Sequence, residues 1–297
     1  MTTSATPVEP SALVDVAVRP GPLRRLRDVW TYRELLGNLV RKELKVKYKN
    51  SALGFLWSLL NPALYLVVFY VVFELILKSG IPNFPIFLLA GLLPWNLFST
   101  GLGASATAVT SNGSLVSKVW FPREILPLAA IGAALVHYFL QTIVLVLALI
   151  IFTWTPAWAY LPLLPFALIT MLVFVAALGV LLAAVNVYAR DTQHLLELAL
   201  LAWFWLTPIV YPYRQVADRL GGAAAVLLLN PMVTVVVTYQ RAIYNKVNAS
   251  PTVHLLPNQD WFWYARNIGI TLAASLALLY FALRIFGRLE DNFAEEI

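Results

Sequence analysis

The sequence predicts an all-α integral membrane protein, and three observations predict it. Hydrophobic residues fill 60% of the 297 positions and charged ones only 12%, against about a quarter charged in soluble domains. Several apolar runs reach the roughly 20 residues a helix needs to cross about 30 Å of hydrocarbon. Ten of the 21 Lys and Arg stand between Arg19 and Lys49, just ahead of the first such run. A cytoplasmic flank facing anionic lipid has this composition.

Taken in chain order, the first 20 residues, MTTSATPVEPSALVDVAVRP, lack the charged n-region and apolar core of a signal peptide. Residues 1–29 are therefore expected to form a disordered cytoplasmic tail. In residues 30–50 the apolar positions Tyr32, Leu35, Leu36, Leu39, Val40, Leu44 and Tyr48 recur at i, i+3, i+4 and i+7, which is one face of a helix. Arg33, Glu34, Asn38, Arg41, Lys42, Lys45 and Lys49 take the other side. Such a helix lies in the membrane interface, with its cations toward headgroups and water.

Residues 51–297 read as one transmembrane domain with spans at about 53–77, 84–108, 125–152, 161–186, 195–212 and 265–286. The span at 84–108 carries Asn96 and small polar residues and is the weakest of them. With both termini inside, 15 Lys and Arg fall on the cytoplasmic side and 6 outside, as the positive-inside rule asks.

The segment AAAVLLLNPMVTVVVTY, 223–239, is apolar but interrupted by Asn230-Pro231. Proline lacks a backbone donor and disfavours helix in the preceding residue, so two short re-entrant helices are more natural than one span. A seventh span stays open on charge, because the loop with Arg241 and Lys246 would then lie inside.

The usual catalytic signatures are missing. There is no G-x-x-x-x-G-K-[ST] phosphate loop, no H-E-x-x-H and no G-x-S-x-G. Without a phosphate loop of its own, the chain would need another subunit to handle ATP and Mg. The absence of cysteine excludes disulfides and thiolate metal sites, and no metal or other bound cofactor is expected. No nucleic-acid recognition motif follows the basic stretch, so a nucleic-acid partner is not expected.

Polar residues inside apolar runs are candidates for function. His137 and Gln141, four apart, read as hydrogen-bonding glue between helices, with a proton or substrate site as the alternative. Glu74 and Lys78 read as an interfacial pair, and Glu197 equally as a charge at a helix start or as a functional residue near the cytoplasmic surface. Trp154, Trp158, Tyr160, Tyr211, Tyr213, Trp261, Trp263 and Tyr264 should form an aromatic belt at the outer surface. Trp203 and Trp205 lie deeper and could line a path for sugars, with helix packing as the competing role. The inside loop 110–128 presents Val119, Trp120 and Phe121 beside Lys118, Arg123 and Glu124, a composition suited to docking a partner.

Five blocks, RKELKVKYKNSALGFLWSLLNPALYLVVF, LLAGLLPWNLFS, NGSLVSKVWFPREILPL, ARDTQHLLELALLAWFWLTPIVYP and LNPMVTVVVTYQRAIY, resemble in this order the signature blocks of ABC-2 type polysaccharide exporter permeases. The resemblance runs from about residue 30 to 290. It implies a homodimer of six-span subunits in the bacterial cytoplasmic membrane, served by two copies of a separate cytoplasmic ATPase. It also favours six spans over seven, with the re-entrant turn at Asn230 and Pro231 on the outer side.

In such exporters the N-terminal helix and the loop after the second span rest on the ATPase. Carried over, Arg33 and Glu34 join Lys118, Val119, Trp120, Phe121, Arg123 and Glu124 as coupling residues. The implied cargo is a polysaccharide linked to polyprenyl pyrophosphate, O-antigen-like or, by similarity to actinobacterial members, galactan. Its anionic head would meet Arg41, Lys42, Lys45, Lys47 and Lys49. Two alternatives stand beside this reading: a membrane enzyme of lipid-linked sugars, and an ABC-2 permease for drugs or lipids.

Overall fold

The computed structural model describes residues 21–49, 51, 53–54, 56–77, 80–250 and 253–296. The first two helices are α1, Pro22–Thr31, and α2, Arg33–Tyr48. Next comes α3, an α-helix over Leu56–Phe69 that widens to π-helix over Tyr70–Ile76. The long helices α4 (Phe84–Ser111), α6 (Ile125–Ile151) and α7 (Leu163–Tyr188) follow, with the one-turn α5 (Gly113–Lys118) between the first two. Then come α8, Thr192–Trp205, and α9, Tyr213–Leu220, which runs on as 3-10 helix over Gly221–Leu229. The helix α10, Pro231–Tyr239, continues as π-helix over Gln240–Tyr244. A small antiparallel hairpin, β1 (Asn248–Ser250) with β2 (Val253–His254), precedes α11, Trp261–Leu289. A 3-10 turn, Glu290–Asn292, leads into α12, Phe293–Glu296.

Five helices among the described residues, α3, α4, α6, α7 and α11, are long and apolar enough to cross a membrane. The most buried is α4, packed against both α6 and α7, with α11 along the far side of α7. Small residues let these backbones approach, as is usual when lipid removes the hydrophobic incentive for helices to associate. A Cβ at Gly179 of α7 would fall 2.8 Å from Ser105 Cβ of α4. The Ser105 hydroxyl donates to the Pro127 carbonyl of α6 at 2.9 Å.

Contacts between helix ends sort the molecule into two poles. At one, Tyr244 Oη donates to Pro82 O (2.7 Å), Trp154 Nε1 to Tyr244 O (2.8 Å) and Tyr160 Oη to Gln259 O (3.2 Å). The indole of Trp154 stacks on Tyr244, and Tyr160 meets Tyr264 edge-on, so Trp154, Tyr160 and Tyr264 of the expected belt lie at this pole. At the other pole lie α1, α2, α5, the connector 119–124 and the C-terminal turn, tied by Arg25, Arg123 and Tyr188. Both ends of the described chain meet at this basic pole.

The fifth expected span, 195–212, differs from expectation. Helix α8 stops at Trp205 after 14 residues, about 21 Å at 1.5 Å per residue and short of a bilayer. Pro208 causes the stop, since it lacks an N–H and disfavours helix at Thr207. Yet the segment still joins the poles. Tyr188 donates to Leu289 O at the basic pole, and the Arg214 amide donates to Leu255 O at the aromatic one. The non-helical stretch after Trp205 is buried at Thr207, Pro208 and Ile209, and Gln240 Nε2 donates to Pro208 O at 3.1 Å. Irregular backbone at this depth is tolerated where protein satisfies it.

From Arg214 the chain dips inward and returns, because Ala242 O accepts from the Ala157 amide at the same aromatic pole. The two arms, Tyr213–Leu229 and Pro231–Tyr244, meet at 103°. The break falls at Asn230-Pro231, where Asn230 caps α10 by accepting from the Met232 amide and Pro231 takes the first helical position.

Residues 1–20 of the expected disordered tail lie outside the described residues, but Pro22–Thr31 is helix, so the tail expectation is corrected from residue 22 onward. Its ordering rests on Arg25, whose partners Glu124 and Glu290 lie 99 and 265 positions away. No local pattern could have announced them.

Candidate coupling and substrate surfaces

The amphipathic α2 packs along α6 as its periodicity requires. Leu39 is buried, Val40 sits against Gly132, where a Cβ would fall 2.7 Å from Val40 Cγ2, and Tyr48 reaches the middle of α6. Arg33, Glu34, Arg41, Lys42, Lys45, Lys47 and Lys49 are exposed. The Lys42 ammonium also donates to Asn112 Oδ1 at 2.5 Å, fastening α2 to the end of α4.

In the connector after α4, the expected docking residues divide. Trp120 is 83% exposed and Val119 54%, with Lys118 also exposed. Phe121 and Glu124 face inward: Phe121 joins a core with Val116, Ile125 and Phe286, and Glu124 is fully buried. Arg123 turns back, donating to Glu290 O and lying 5.8 Å over the Phe293 ring. The exposed part of the connector is therefore the strip Lys118–Trp120, with Phe121, Arg123 and Glu124 beneath it.

What holds that strip is a buried charge cluster that sequence reading missed. Arg25 of α1 is ion-paired to Glu124 and Glu290. Burial opposes the Arg25 charge, but the hydrogen bond to Glu290 and the field of Glu124 outweigh it and leave the guanidinium more basic than usual. Burial first, and the neighbouring Glu290 second, push the Glu124 carboxyl up, against the pull of Arg25. Gly287 of α11 provides the floor: a Cβ there would fall 2.6 Å from Arg25 Nη2. A cleft of about 470 Å³ opens beside the cluster, lined among others by Arg25, Asp28, Lys118, Trp120, Arg123 and Glu290.

The two deep tryptophans also divide. Trp203 meets Phe98 edge-on and donates from Nε1 to Asn230 Oδ1 at 2.8 Å, while Asn230 Nδ2 donates to Thr207 Oγ1 at 3.1 Å. This pins the re-entrant turn to α8, so Trp203 is a packing residue here. Trp205 is 59% exposed, on the same helix as the outward Leu195, Leu198 and Leu201.

His137 bridges helices as expected of glue. Its Nδ1 lies 3.0 Å from both Tyr48 Oη and Ser58 Oγ, which are 2.5 Å from each other. Gln141 is one turn further along. Glu74 Oε2 accepts from the Phe84 amide at 3.3 Å, whereas Lys78 lies outside the described residues. Glu197 is exposed beside His194. No cluster of three or more metal-ligating side chains occurs among the described residues.

A helical bundle with five helices of membrane-crossing length, a basic amphipathic helix along it, an exposed apolar strip braced from within and a sharply bent hairpin at the far pole is the fold of a multi-pass membrane protein. The ABC-2 type transporter model matches residues 34–244, and the chain belongs to that family. It is 37% identical over 276 residues to the O-antigen export system permease protein RfbA of Myxococcus xanthus, covering 93% of this chain and all of the relative. A Klebsiella pneumoniae protein of the same name is 27% identical over 262 residues, 88% of this chain and 94% of the relative. The polysialic acid transport protein KpsM of Escherichia coli is 24% identical over 212 residues, 69% and 79%.

Proposed function

We propose that the chain is the permease subunit of an ATP-driven exporter of lipid-linked polysaccharide, working as a homodimer with two copies of a separate ATPase. The observation that carries this reading is near full-length similarity to proteins named for O-antigen export, joined to the exposed Lys118–Trp120 strip. The names of the relatives support an O-antigen-like glycan rather than galactan. No phosphate loop occurs in the chain, so ATP and Mg belong to the partner and enter the permease only as movement.

In this reading the basic pole is cytoplasmic. The ATPase bears on Trp120, Val119 and Lys118 and on the exposed Arg33 and Glu34 of α2. Arg123, Phe121 and Glu124 brace the strip, passing its displacement to α6, which begins at Ile125. Because Tyr48 joins α2 to α3 and α6, a push on α2 also reaches the first span. The cations Arg41, Lys42, Lys45, Lys47 and Lys49 attract the carrier pyrophosphate and anionic lipid to the entry side. The outward Trp205 faces the glycan path, and the Asn230-Pro231 hairpin closes the far side.

Deleting the gene tests this. Surface polysaccharide should disappear while its lipid-linked precursor accumulates on the cytoplasmic side, and both should revert on complementation. Unchanged surface polysaccharide would refute the reading.

A further inference from the structure

Where the end of α2 meets the start of α3, the helices α2, α3, α4 and α6 line an open cavity of about 230 Å³. His137 stands 12 residues beyond Ile125, about 18 Å along α6, while Tyr48 ends α2 and Ser58 sits in the first turn of α3, so the cavity opens where the basic helix meets the first span. Its wall is polar. The hydroxyls of Tyr48 and Ser58 converge with His137 on one side, and Asn96, Thr100 and Gln141 line another.

These last three side chains have no hydrogen-bond partner among the described residues. Asn96 and Gln141 are half-buried and Thr100 exposed, so these groups are free to take a bound partner, and polar side chains on membrane helices mark substrate paths. Helix glue accounts for Tyr48, Ser58 and His137 but not for Asn96 or Gln141.

The chemistry of the wall selects its occupant. Among the described residues no Asp or Glu lines the cavity and Lys47 does, so its charge disfavours a cation. A phosphate only accepts hydrogen bonds; it would meet Lys47 but leave the amide oxygens of Asn96 and Gln141 unpaired. Amides and hydroxyls together both donate and accept, as a sugar hydroxyl does. At the mouth, Trp57 and Tyr65 are 53% and 45% exposed and offer ring faces on which the apolar C–H face of a pyranose packs. We infer that this cavity is a subsite for a neutral sugar unit of the transported chain, held within one subunit. The inference rests on the exporter reading above.

The test uses the complete exporter in cells that make the polysaccharide. A photoreactive benzoylphenylalanine replaces Tyr65, or Ile143 as an exposed control on α6, and after irradiation the permease peptides are searched for attached carbohydrate and lipid. Carbohydrate is expected at Tyr65 and not at Ile143. Asn96→Leu or Gln141→Leu should lower the Tyr65 capture by about tenfold, the loss of a hydrogen-bond partner in a half-buried site. Phospholipid alone at Tyr65, or carbohydrate equally at both positions, would overturn the subsite. The deletion strain separates the two claims: if surface polysaccharide needs the chain but Tyr65 captures only lipid, the subsite fails and the exporter stands. If surface polysaccharide does not need the chain, both fail.

Discussion

Arg25 decides how the connector is held. Arg25→Met leaves Glu124 and Glu290 facing each other without their cation, a loss of about 3 kcal/mol when a buried pair is broken from one side. Glu124→Gln keeps the Arg25–Glu290 pair and should cost less, so thermal unfolding of the purified variants should rank Arg25→Met as the weaker protein. The pH dependence has a definite sign. The folded-state pKa of Glu124 is raised above its ordinary value of 4.5, so the folded state holds this proton more tightly than the unfolded one. Its contribution is fully present below the unfolded pKa and is lost as pH rises through the folded one. Without Arg25 the raised pKa moves higher, so the deficit of Arg25→Met should shrink on acidification from neutral pH toward about 5. A deficit that grew instead would contradict this account of the cluster. Gly287→Ala should also destabilise, by displacing the guanidinium from its floor.

Legibility differed among the elements for physical reasons. The helices α4, α6, α7 and α11 were readable because each is an apolar run of bilayer length, and α2 because its apolar face repeats at helical spacing. Helix α1 was not, since its place depends on carboxylates far along the chain. The early stop of α8 had a signal in Thr207-Pro208 that hydropathy overrode. Within the connector, composition could mark a segment rich in apolar and basic residues but could not say that Trp120 faces out while Phe121 faces in. The re-entrant hairpin makes its own prediction. Because both arms end at the aromatic pole, cysteines at Gln215 and Asn248, which flank the hairpin, should be labelled by an impermeant thiol reagent from the same side of the membrane; labelling from opposite sides would restore a seventh span. Asn230→Ala removes the cap of α10 and the acceptor of Trp203, and should cost about 1 kcal/mol or more in thermal unfolding of the purified protein.

For the whole molecule, the charge cluster, the braced strip and the Tyr48–His137 link form one run of contacts from the basic pole to the first and third spans. Trp120→Ala removes an exposed side chain and not a core one, so it should leave the folded permease in the membrane while export falls. Phe121→Ala opens the core beneath and should instead lower stability by about 3 kcal/mol, the usual cost of truncating a buried phenylalanine. The most direct measurement of the central claim is gentle extraction of the tagged chain from its own membrane, followed by quantitative mass spectrometry of what elutes with it. The account predicts a separate ATPase carrying a phosphate loop in equimolar amount, reduced by Trp120→Ala. Recovery of the wild-type chain without any ATPase, under conditions that keep a known exporter of this family intact, would contradict it.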